Sequence, residues 1–202
     1  MKLSREFYAR PTLTVAKDLL GKVMVHRTRE GLTAGMIVEA EAYIGEGDPA
    51  CHAAPGRTRR NEPLYGAPGV AYVYLNYGIH YLVNAVTERE GRPAAVLIRA
   101  LEPVDGVPLM VKRRATKGQR VSRHDLCRGP GNLTRALGIT LGENRLDLID
   151  SQLFIEDRGL TVGRVQRGPR IGIRKGVEHP WRCWVANHPC VSGPKTPVLR
   201  SR

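Results

Sequence analysis

One segment of alternating aromatic and aliphatic residues, 71–84, most constrains how this chain can fold. It reads Ala-Tyr-Val-Tyr-Leu-Asn-Tyr-Gly-Ile-His-Tyr-Leu-Val-Asn and contains four of the chain's seven tyrosines. Alternation of this kind is typical of β-strands, and Asn76-Tyr77-Gly78 in its middle suits a tight turn. The segment therefore predicts a β-hairpin with Tyr77 exposed at its tip and with Tyr72 and Tyr74 on one strand face.

The segment alone leaves two interpretations of these rings open. Flat rings on a rigid hairpin suit stacking on a nucleic-acid base that has been pulled out of its helix. The same rings would equally well fill a buried pair of strands. The choice between them depends on what the rest of the chain supplies.

The charge of the chain favours a polyanion as its partner. Lysine and arginine number 32 against 19 acidic residues, which gives a formal net charge of +13. The basic residues cluster at 57–60, 112–128 and 164–175. Clusters of one sign raise the affinity for nucleic acid and make it fall with salt. A basic protein with no such partner is the alternative, and the clustering favours nucleic acid over it.

The length of the chain, 202 residues, suits one well-cored domain, which we expect to span residues 1–202. No stretch approaches the roughly 18 apolar residues of a membrane span, and the first residues lack the apolar core of a signal peptide. We therefore expect a monomeric cytoplasmic protein, associated with the nucleoid in a bacterium, that does not bind membranes.

Hydrophobic periodicity and turn residues predict an α+β fold. The fold would be a single domain built on a mainly antiparallel curved β-sheet, with flanking short helices and the protruding hairpin. Strands are predicted at 22–28, 32–43 and 94–101, and strands and turns at 153–155, 170–172 and 181–185. Helices are predicted at 12–21, 102–114 and 133–137, a long loop at 45–68 and a basic loop at 117–128.

The four cysteines, Cys51, Cys127, Cys183 and Cys190, form no Cys-x-x-Cys pair, which fits a reducing compartment. One group, His179, Cys183, His188 and Cys190, offers zinc ligands within a short stretch. Its spacing is less regular than that of zinc sites, so buried thiols with surface histidines are the preferred interpretation. We expect no metal and no cofactor.

The best candidate for catalysis is the stretch from Val38 to Tyr43. Alternate residues of a strand share a face, so Glu39, Glu41 and Tyr43 would point to the same side. A carboxylate that faces a pocket can act as a general base toward water. The chain has no Gly-x-Ser-x-Gly, no phosphate-binding loop and no ligand set for two-metal chemistry. Two interpretations of this stretch remain, which are metal-free hydrolysis and no catalysis at all.

Several stretches together resemble the alkyladenine (3-methyladenine) DNA glycosylases of the eukaryotic methylpurine type and their bacterial relatives. The chain is identified as a bacterial member on stretches that follow one another over most of its length. They are Val38-Glu-Ala-Glu-Ala-Tyr-Ile-Gly45 with Asp48 and His52, Thr58-Arg-Arg-Asn61, and residues 69–84, 96–103, 126–130, 170–172 and 190–192.

The resemblance implies a role for particular residues. Glu41 resembles the general base that activates the attacking water, and Arg99 matches an arginine near the water and the sugar-phosphate. The base-binding pocket implied by the resemblance comprises Tyr43, His52, Tyr74 and Asn84. Tyr77 is similar to the residue that intercalates into the duplex, whereas Tyr72 and Tyr81 are expected to be scaffold. Backbone contacts are expected from Arg57, Arg60 and Arg128.

The resemblance thus implies a monofunctional DNA glycosylase of base-excision repair that acts on double-stranded DNA containing damaged purines. Such an enzyme flips an alkylated or deaminated purine out of the duplex and hydrolyses its N-glycosidic bond, leaving an abasic site. No lysine lies among the matched pocket positions, which favours water over a Schiff base as nucleophile. The alternatives are a non-catalytic nucleic-acid-binding module of the same fold and a metal-dependent nuclease.

Overall fold

The computed structural model describes residues 1–116 and 120–193. Within these ranges the helices are α1 (Arg5–Tyr8), α2 (Thr12–Asp18), α3 (Val107–Arg114) and α4 (Pro130–Leu137), and short 3-10 helices lie at Glu62–Tyr65, Arg123–Asp125 and Leu141–Glu143. The strands are β1 (Val23–Thr28), β2 (Gly31–Ile44), β3 (Ala71–Asn76), β4 (His80–Val86), β5 (Ala94–Asp105), β6 (Leu153–Glu156), β7 (Val165–Gly168) and β8 (Arg182–Val185).

All of these strands belong to one curved antiparallel sheet. Six of them follow the order β3-β4-β5-β2-β1-β6. The strand β2 is long enough to pair with β1 along its first half and with β8 at Glu39–Glu41 on the same edge, and β7 pairs with β8. The predicted α+β class with a mainly antiparallel sheet is confirmed.

The two faces of the sheet have different surroundings because side chains alternate along each strand. On one face, small and β-branched residues pack with helices α2 and α4 to form the main hydrophobic core. This core takes Val73 from β3, Val83 from β4, Ile98 from β5 and Ala40 from β2. The opposite face carries the tyrosines of β3 and is covered by the segment 51–65, which includes the 3-10 helix Glu62–Tyr65.

The predicted hairpin is confirmed. Strands β3 and β4 pair in register from Ala71 with Ala85 to Asn76 with His80. At the turn, the φ angles of Tyr77 and Gly78 are 49° and 70°. Positive φ at both central residues is the conformation of a type I′ turn, whose twist matches that of the flanking strands. The turn leaves Tyr77 84% exposed at the tip.

The helix predicted at 102–114 is wrong in its first part. The strand β5 continues to Asp105, and the helix begins only at Val107. The long strand β2 offers pairing partners as far as Ala34, and Pro103 is accommodated where the register shifts between Ala34 and Gly35. Pro108 lies in the first turn of the helix, where its missing N–H is tolerated.

Other boundaries shift by a few residues. Helix α4 begins at Pro130 rather than at the predicted Leu133, because Pro130 takes a first-turn position. The predicted loop at 45–68 contains a 3-10 helix, and so does the described part of the predicted basic loop at 117–128, of which residues 117–119 lie outside the described residues.

Burial of the cysteines agrees with the predicted reduced thiols. All four are buried and free of disulfide bonds. Throughout residues 1–116 and 120–193, no three His, Cys, Asp or Glu side chains are grouped as they would be around a metal ion. In the same ranges, no helix has the length and apolar character needed to cross a membrane.

Candidate active site

A cavity of about 320 Å³ lies on the face of the sheet that carries the tyrosines of β3. Cross-strand pairing places three of its lining residues in one row with Glu41, because Tyr72 pairs with Asn84, Asn84 with Leu97, and Leu97 with Glu41. Directly opposed residues of neighbouring strands point to the same face. Residues far apart in the sequence therefore meet at this cavity.

A register irregularity brings Arg99 into the site. Pairing between β2 and β5 shifts around Glu39, and Arg99 is left without an opposed residue. Such bulges redirect a side chain and are common beside active sites. The Nε of Arg99 donates to Oε1 of Glu39 at 3.0 Å, and its Nη1 donates to Oε2 of Glu41 at 3.2 Å. Both carboxylates thus lie on the same side of β2, as alternation predicts.

Glu41 is fully buried and accepts three hydrogen bonds. Its Oε1 accepts from the backbone N–H of Ile171 at 2.7 Å, and its Oε2 accepts from the hydroxyl of Tyr43 at 2.9 Å and from Arg99. A carboxylate has about four acceptor positions. Among the described residues, one position of Glu41 has no protein donor and can accept from a further group.

Burial raises the pKa of Glu41, and the positive charge of Arg99 and the donors Ile171 and Tyr43 only partly offset that effect. For Arg99, burial alone would lower the pKa, but the carboxylates of Glu41 and Glu39 outweigh it and the pKa is raised. The guanidinium is therefore a permanent positive charge beside a carboxylate that protonates more readily than usual.

Glu39 is also fully buried and also accepts three hydrogen bonds, but two of its donors are arginines. Its Oε1 accepts from Arg182 at 2.7 Å as well as from Arg99, and its Oε2 accepts from the backbone N–H of Ser192 at 2.7 Å. The solvated acidic pair that is usual for a strand does not occur here. Glu39 instead holds two arginines and the segment around Ser192.

Three rings form one wall of the cavity. The ring centroids of His52 and Tyr74 are 4.5 Å apart at 67°, and those of Tyr72 and Tyr74 are 5.2 Å apart at 32°. Nδ1 of His52 lies 2.9 Å from the hydroxyl of Tyr72. Tyr72 is only 2% exposed, as expected for scaffold, yet it lines the cavity and fixes His52. The rings are thus neither a plain buried pair nor a freely exposed surface.

The loop that carries His52 is held by Asn61. Its Nδ2 donates to the carbonyl oxygens of His52 and Gly56, both at 2.8 Å, and its Oδ1 accepts from the N–H of Thr58 at 2.6 Å. Burial lowers the pKa of His52, and the charge of Arg60 adds to the effect. His52 is therefore neutral at neutral pH.

Tyr43 and Asn84 complete the predicted pocket group. Burial, followed by the nearby charge of Glu41, raises the pKa of Tyr43, so its hydroxyl remains a donor to Glu41. The Nδ2 of Asn84 donates to the carbonyl oxygen of Tyr72 at 2.9 Å. This bond fixes the amide of Asn84, which is 5% exposed. Tyr43, His52, Tyr74, Asn84 and Arg99 all line the same cavity.

The three arginines predicted to contact the DNA backbone differ in how far other protein groups already engage them. The guanidinium of Arg60 lies 5.9 Å from the Tyr74 ring centroid and 3.4 Å from the carbonyl oxygen of Leu75, next to the cavity. Arg57 contacts Glu62 at 3.4 Å and remains largely exposed. Arg128 is engaged by Asp125 at 2.9 Å and by the carbonyl oxygen of Pro189. Arg60 and Arg57 are therefore better placed than Arg128 to meet a phosphate.

Residues that the sequence interpretation gave no role complete the site. They include the N–H of Ile171, the buried pair of Arg170 with Asp48, and the anchors Arg182 and Ser192. Arg170 was counted within a basic cluster, but it is 4% exposed and paired, so it is not part of a polyanion-binding surface. Asp48, Arg170 and Ser192 do fall within the stretches that carry the family resemblance, and their place in those stretches was the one indication of a role in the site.

The chain also matches proteins of one family over nearly its whole length. The family profile described as Methylpurine-DNA glycosylase matches residues 6–189. Proteins named "Putative 3-methyladenine DNA glycosylase" include one from Prosthecochloris aestuarii, 45% identical over 100% of this chain and 97% of its own length. Another, from Chlorobium phaeobacteroides (strain BS1), is 47% identical over 96% of each chain. A third, from Methanocella arvoryzae, is 48% identical over 94% of this chain and 95% of its own length. The site and this similarity agree, and the chain belongs to the methylpurine-DNA glycosylase family.

Proposed function

We propose that this DNA glycosylase flips a damaged purine out of double-stranded DNA and hydrolyses its N-glycosidic bond with a water activated by Glu41. The observation that carries the proposal is a fully buried carboxylate, held by Arg99 and Tyr43, beside a cavity walled by aromatic rings. Burying a charge is costly unless it is paired, so a binding module gains nothing from this arrangement.

The reaction assigns distinct tasks to the two charged groups. As the C1′–N bond breaks, positive charge develops on the sugar and the bonding electrons leave with the purine. The Glu41 carboxylate stabilises that charge and accepts a proton from the water whose oxygen bonds to C1′. Arg99 orients Glu41 through Nη1, and because it lines the cavity its proposed second task is to contact the water or the sugar-phosphate. The raised pKa of Glu41 makes it a stronger base than an exposed glutamate.

The cavity has the chemistry expected of a purine pocket. Its volume falls at the lower end of the range for small-molecule sites, and Tyr43, Tyr74 and His52 offer ring surfaces for stacking. An alkylated purine that carries positive charge gains about 0.5–2 kcal/mol from each ring face. Because His52 is neutral, it does not repel such a base. Asn84 faces the same cavity and would limit which purine edges fit.

Tyr77 is proposed to fill the gap that the flipped nucleotide leaves. It lies at the tip of the hairpin, 84% exposed, and also lines the mouth of the cavity. Ile79, two residues further on in the same turn, is also exposed. A side chain that is already out of the core costs little to insert between base pairs.

Water is the proposed nucleophile. No lysine lines the cavity in the part of the chain that the structure describes, so no amine is in position to form a Schiff base. We propose a monofunctional enzyme that acts without a metal.

A panel of duplexes tests the proposal. Each duplex carries one hypoxanthine, ethenoadenine or 3-methyladenine, and alkali cleavage of the strand reports the abasic site. We expect release of free base from one or more lesions, in the presence of a chelator, with strand cleavage only after alkali. Binding without any release would favour the non-catalytic module, and cleavage abolished by the chelator would favour a nuclease.

A further inference from the structure

On the proposed function, we infer that Arg170 and Asp48 act as a positioning pair. The pair holds the loop that carries His52, strand β2 and the loop at 169–176 in the arrangement required for catalysis. Neither side chain belongs to the groups proposed to touch the base or the sugar. The pair acts through Tyr43 and Glu41.

The ion pair joins the loop that carries His52 to the loop at 169–176. Nη1 and Nη2 of Arg170 donate to Oδ2 and Oδ1 of Asp48 at 2.5 and 2.7 Å, and both side chains are 0% exposed. Asp48 also accepts from the N–H groups of Ile44 and Ala50. The loop that carries His52 is thereby tied to the loop that carries Ile171.

Arg170 also contacts the catalytic strand directly. Its Nη1 donates to the carbonyl oxygen of Ala42 at 3.0 Å. Its guanidinium carbon lies 4.6 Å from the ring centroid of Tyr43 and 5.0 Å from that of Trp181. Tyr43 is therefore supported from behind by a planar cation that is itself fixed by Asp48. Tyr43 is the residue that donates its hydroxyl to Glu41 and that is proposed to stack on the base.

The next residue in the chain completes the link to Glu41. The backbone N–H of Ile171 donates to Oε1 of Glu41 at 2.7 Å, and Ile171 directly follows Arg170 in the chain. A displacement of Arg170 would therefore also displace this N–H group. Misplacing a catalytic group by about 1 Å can reduce a rate about 100-fold. The geometry of Glu41 thus depends on a pair that lies outside the base-binding wall.

The energetics of the pair also favour a positioning role. Burying two charges costs several kcal/mol of desolvation, and apolar residues of similar size often stabilise a fold equally well. A bidentate arginine–carboxylate contact does, however, fix distances and angles better than apolar packing. The pair is therefore an expensive means of stabilisation but an effective means of orientation.

Loss of the pair should alter the titration of Glu41. The charged and titratable groups that face Glu41 are Arg99 on β5, Glu39 and Tyr43 on β2, Tyr74 on β3, Cys183 on β8 and Arg170 itself. Displacing the N–H of Ile171 removes a donor that favours the carboxylate. The pKa of Glu41 should then rise further, and the acidic limb of the rate profile should move to higher pH.

The experiment compares wild type with Arg170→Lys and Asp48→Asn. Arg170→Lys keeps the charge but loses the planar bidentate contact, and Asp48→Asn keeps the volume. A control, Asp147→Asn, breaks the ion pair of Arg5 with Asp147 outside the cavity. Single-turnover base release is measured against pH with enzyme in excess, together with duplex affinity and thermal unfolding.

We expect both variants to fold and to bind duplex at near wild-type affinity, with single-turnover rates reduced about 10- to 100-fold and the acidic limb shifted upward. A variant that combines Arg170→Lys with Asp48→Asn should have a base-release rate no lower than that of the slower single variant, because the two residues act as a unit. Asp147→Asn should retain the wild-type rate.

Two results would overturn the inference. Folded variants with wild-type rates and an unchanged pH profile would show that the pair positions nothing. Failure of both variants to fold would show that the pair serves the fold alone. If instead wild type releases no base from any lesion, the proposed function fails, and that result is distinct from either of these.

Discussion

Two glutamates on one strand differ because of what surrounds each carboxylate. Glu39 accepts hydrogen bonds from two arginines, Arg99 and Arg182, and from the N–H of Ser192. Glu41 has one arginine and a buried position behind the cavity residue Tyr43, and its pKa is raised. The same residue type is thus an anchor at one position and a candidate base two positions later.

The raised pKa of Glu41 predicts the direction of a pH dependence. A general base works as the carboxylate, so the single-turnover rate should rise with pH through an apparent pKa above the ordinary value of glutamate, about 4.3. His52→Gln serves as the control because His52 also titrates on the acidic side, with a lowered pKa. The rise of the rate with pH should persist in His52→Gln. If the rise disappears in this variant, it reports the titration of His52 and not that of Glu41.

Tyr77 should affect extrusion of the base more than cleavage. Unstacking a paired base costs a few kcal/mol, which an inserted ring helps to offset. We expect Tyr77→Ala to slow release of hypoxanthine from a paired duplex by about 10-fold, with a smaller effect in single-stranded DNA. The control is Leu13→Ala, which changes an exposed apolar residue on α2 and should leave both rates unaltered. Equal slowing on both substrates would contradict the assignment.

The residues of the site were predictable where local pattern or the family resemblance indicated them. Alternation placed Glu41 and Tyr43 together, and the resemblance added Arg99, His52 and Asn84, which line one cavity with Tyr43. The N–H donor of Ile171 was not predictable, because a backbone group carries no signal in the sequence. Arg170 was misjudged as surface charge because its partner Asp48 lies 122 positions away.

At the scale of elements, the turns are set by local chemistry and the long strands by their partners. The hairpin was predictable because Asn76-Tyr77-Gly78 and the alternation on either side agree. The end of β5 was not predictable from Pro103 and Pro108, because the length of β2 decides how far β5 continues. The irregularity that frees Arg99 likewise arises from pairing between strands that are distant in the sequence.

Two glycines at turns provide a matched test of these elements. Gly78 in the hairpin and Gly106 before α3 have φ angles of 70° and 71°. A Cβ at Gly78 would meet nothing within 4 Å, whereas a Cβ at Gly106 would lie 2.1 Å from the carbonyl oxygen of Leu32. Gly78→Ala should lower the free energy of unfolding by about 1–2 kcal/mol, the cost of the left-handed conformation.

Gly106→Ala has the same backbone cost and a clash in addition, so it should destabilise by more than about 4 kcal/mol or prevent folding. Urea unfolding of the two variants measures the difference. Equal losses would show that Gly106 has space around it that the structure does not show.

At the scale of the whole molecule, the net charge of +13 fits the DNA substrate of the family. Each phosphate that a basic residue neutralises releases counterions, so duplex affinity should fall by about 10-fold or more between 50 and 200 mM salt. Arg60→Gln, beside the cavity, should reduce the salt slope by about 1. Arg158 pairs with Asp105 and Glu156, so Arg158→Gln should leave the slope unchanged. An unchanged slope in Arg60→Gln would remove Arg60 from the DNA contacts.

Base release by Glu41→Gln tests the central claim most directly. The substitution keeps the size of the side chain and removes the carboxylate, and Glu30→Gln at an exposed position is the matched control. Release of free purine from the best lesion duplex and duplex affinity are measured for both variants and wild type. Glu41→Gln should bind the duplex as wild type does and release base at least about 1,000-fold more slowly. Release at the wild-type rate in Glu41→Gln would contradict the account.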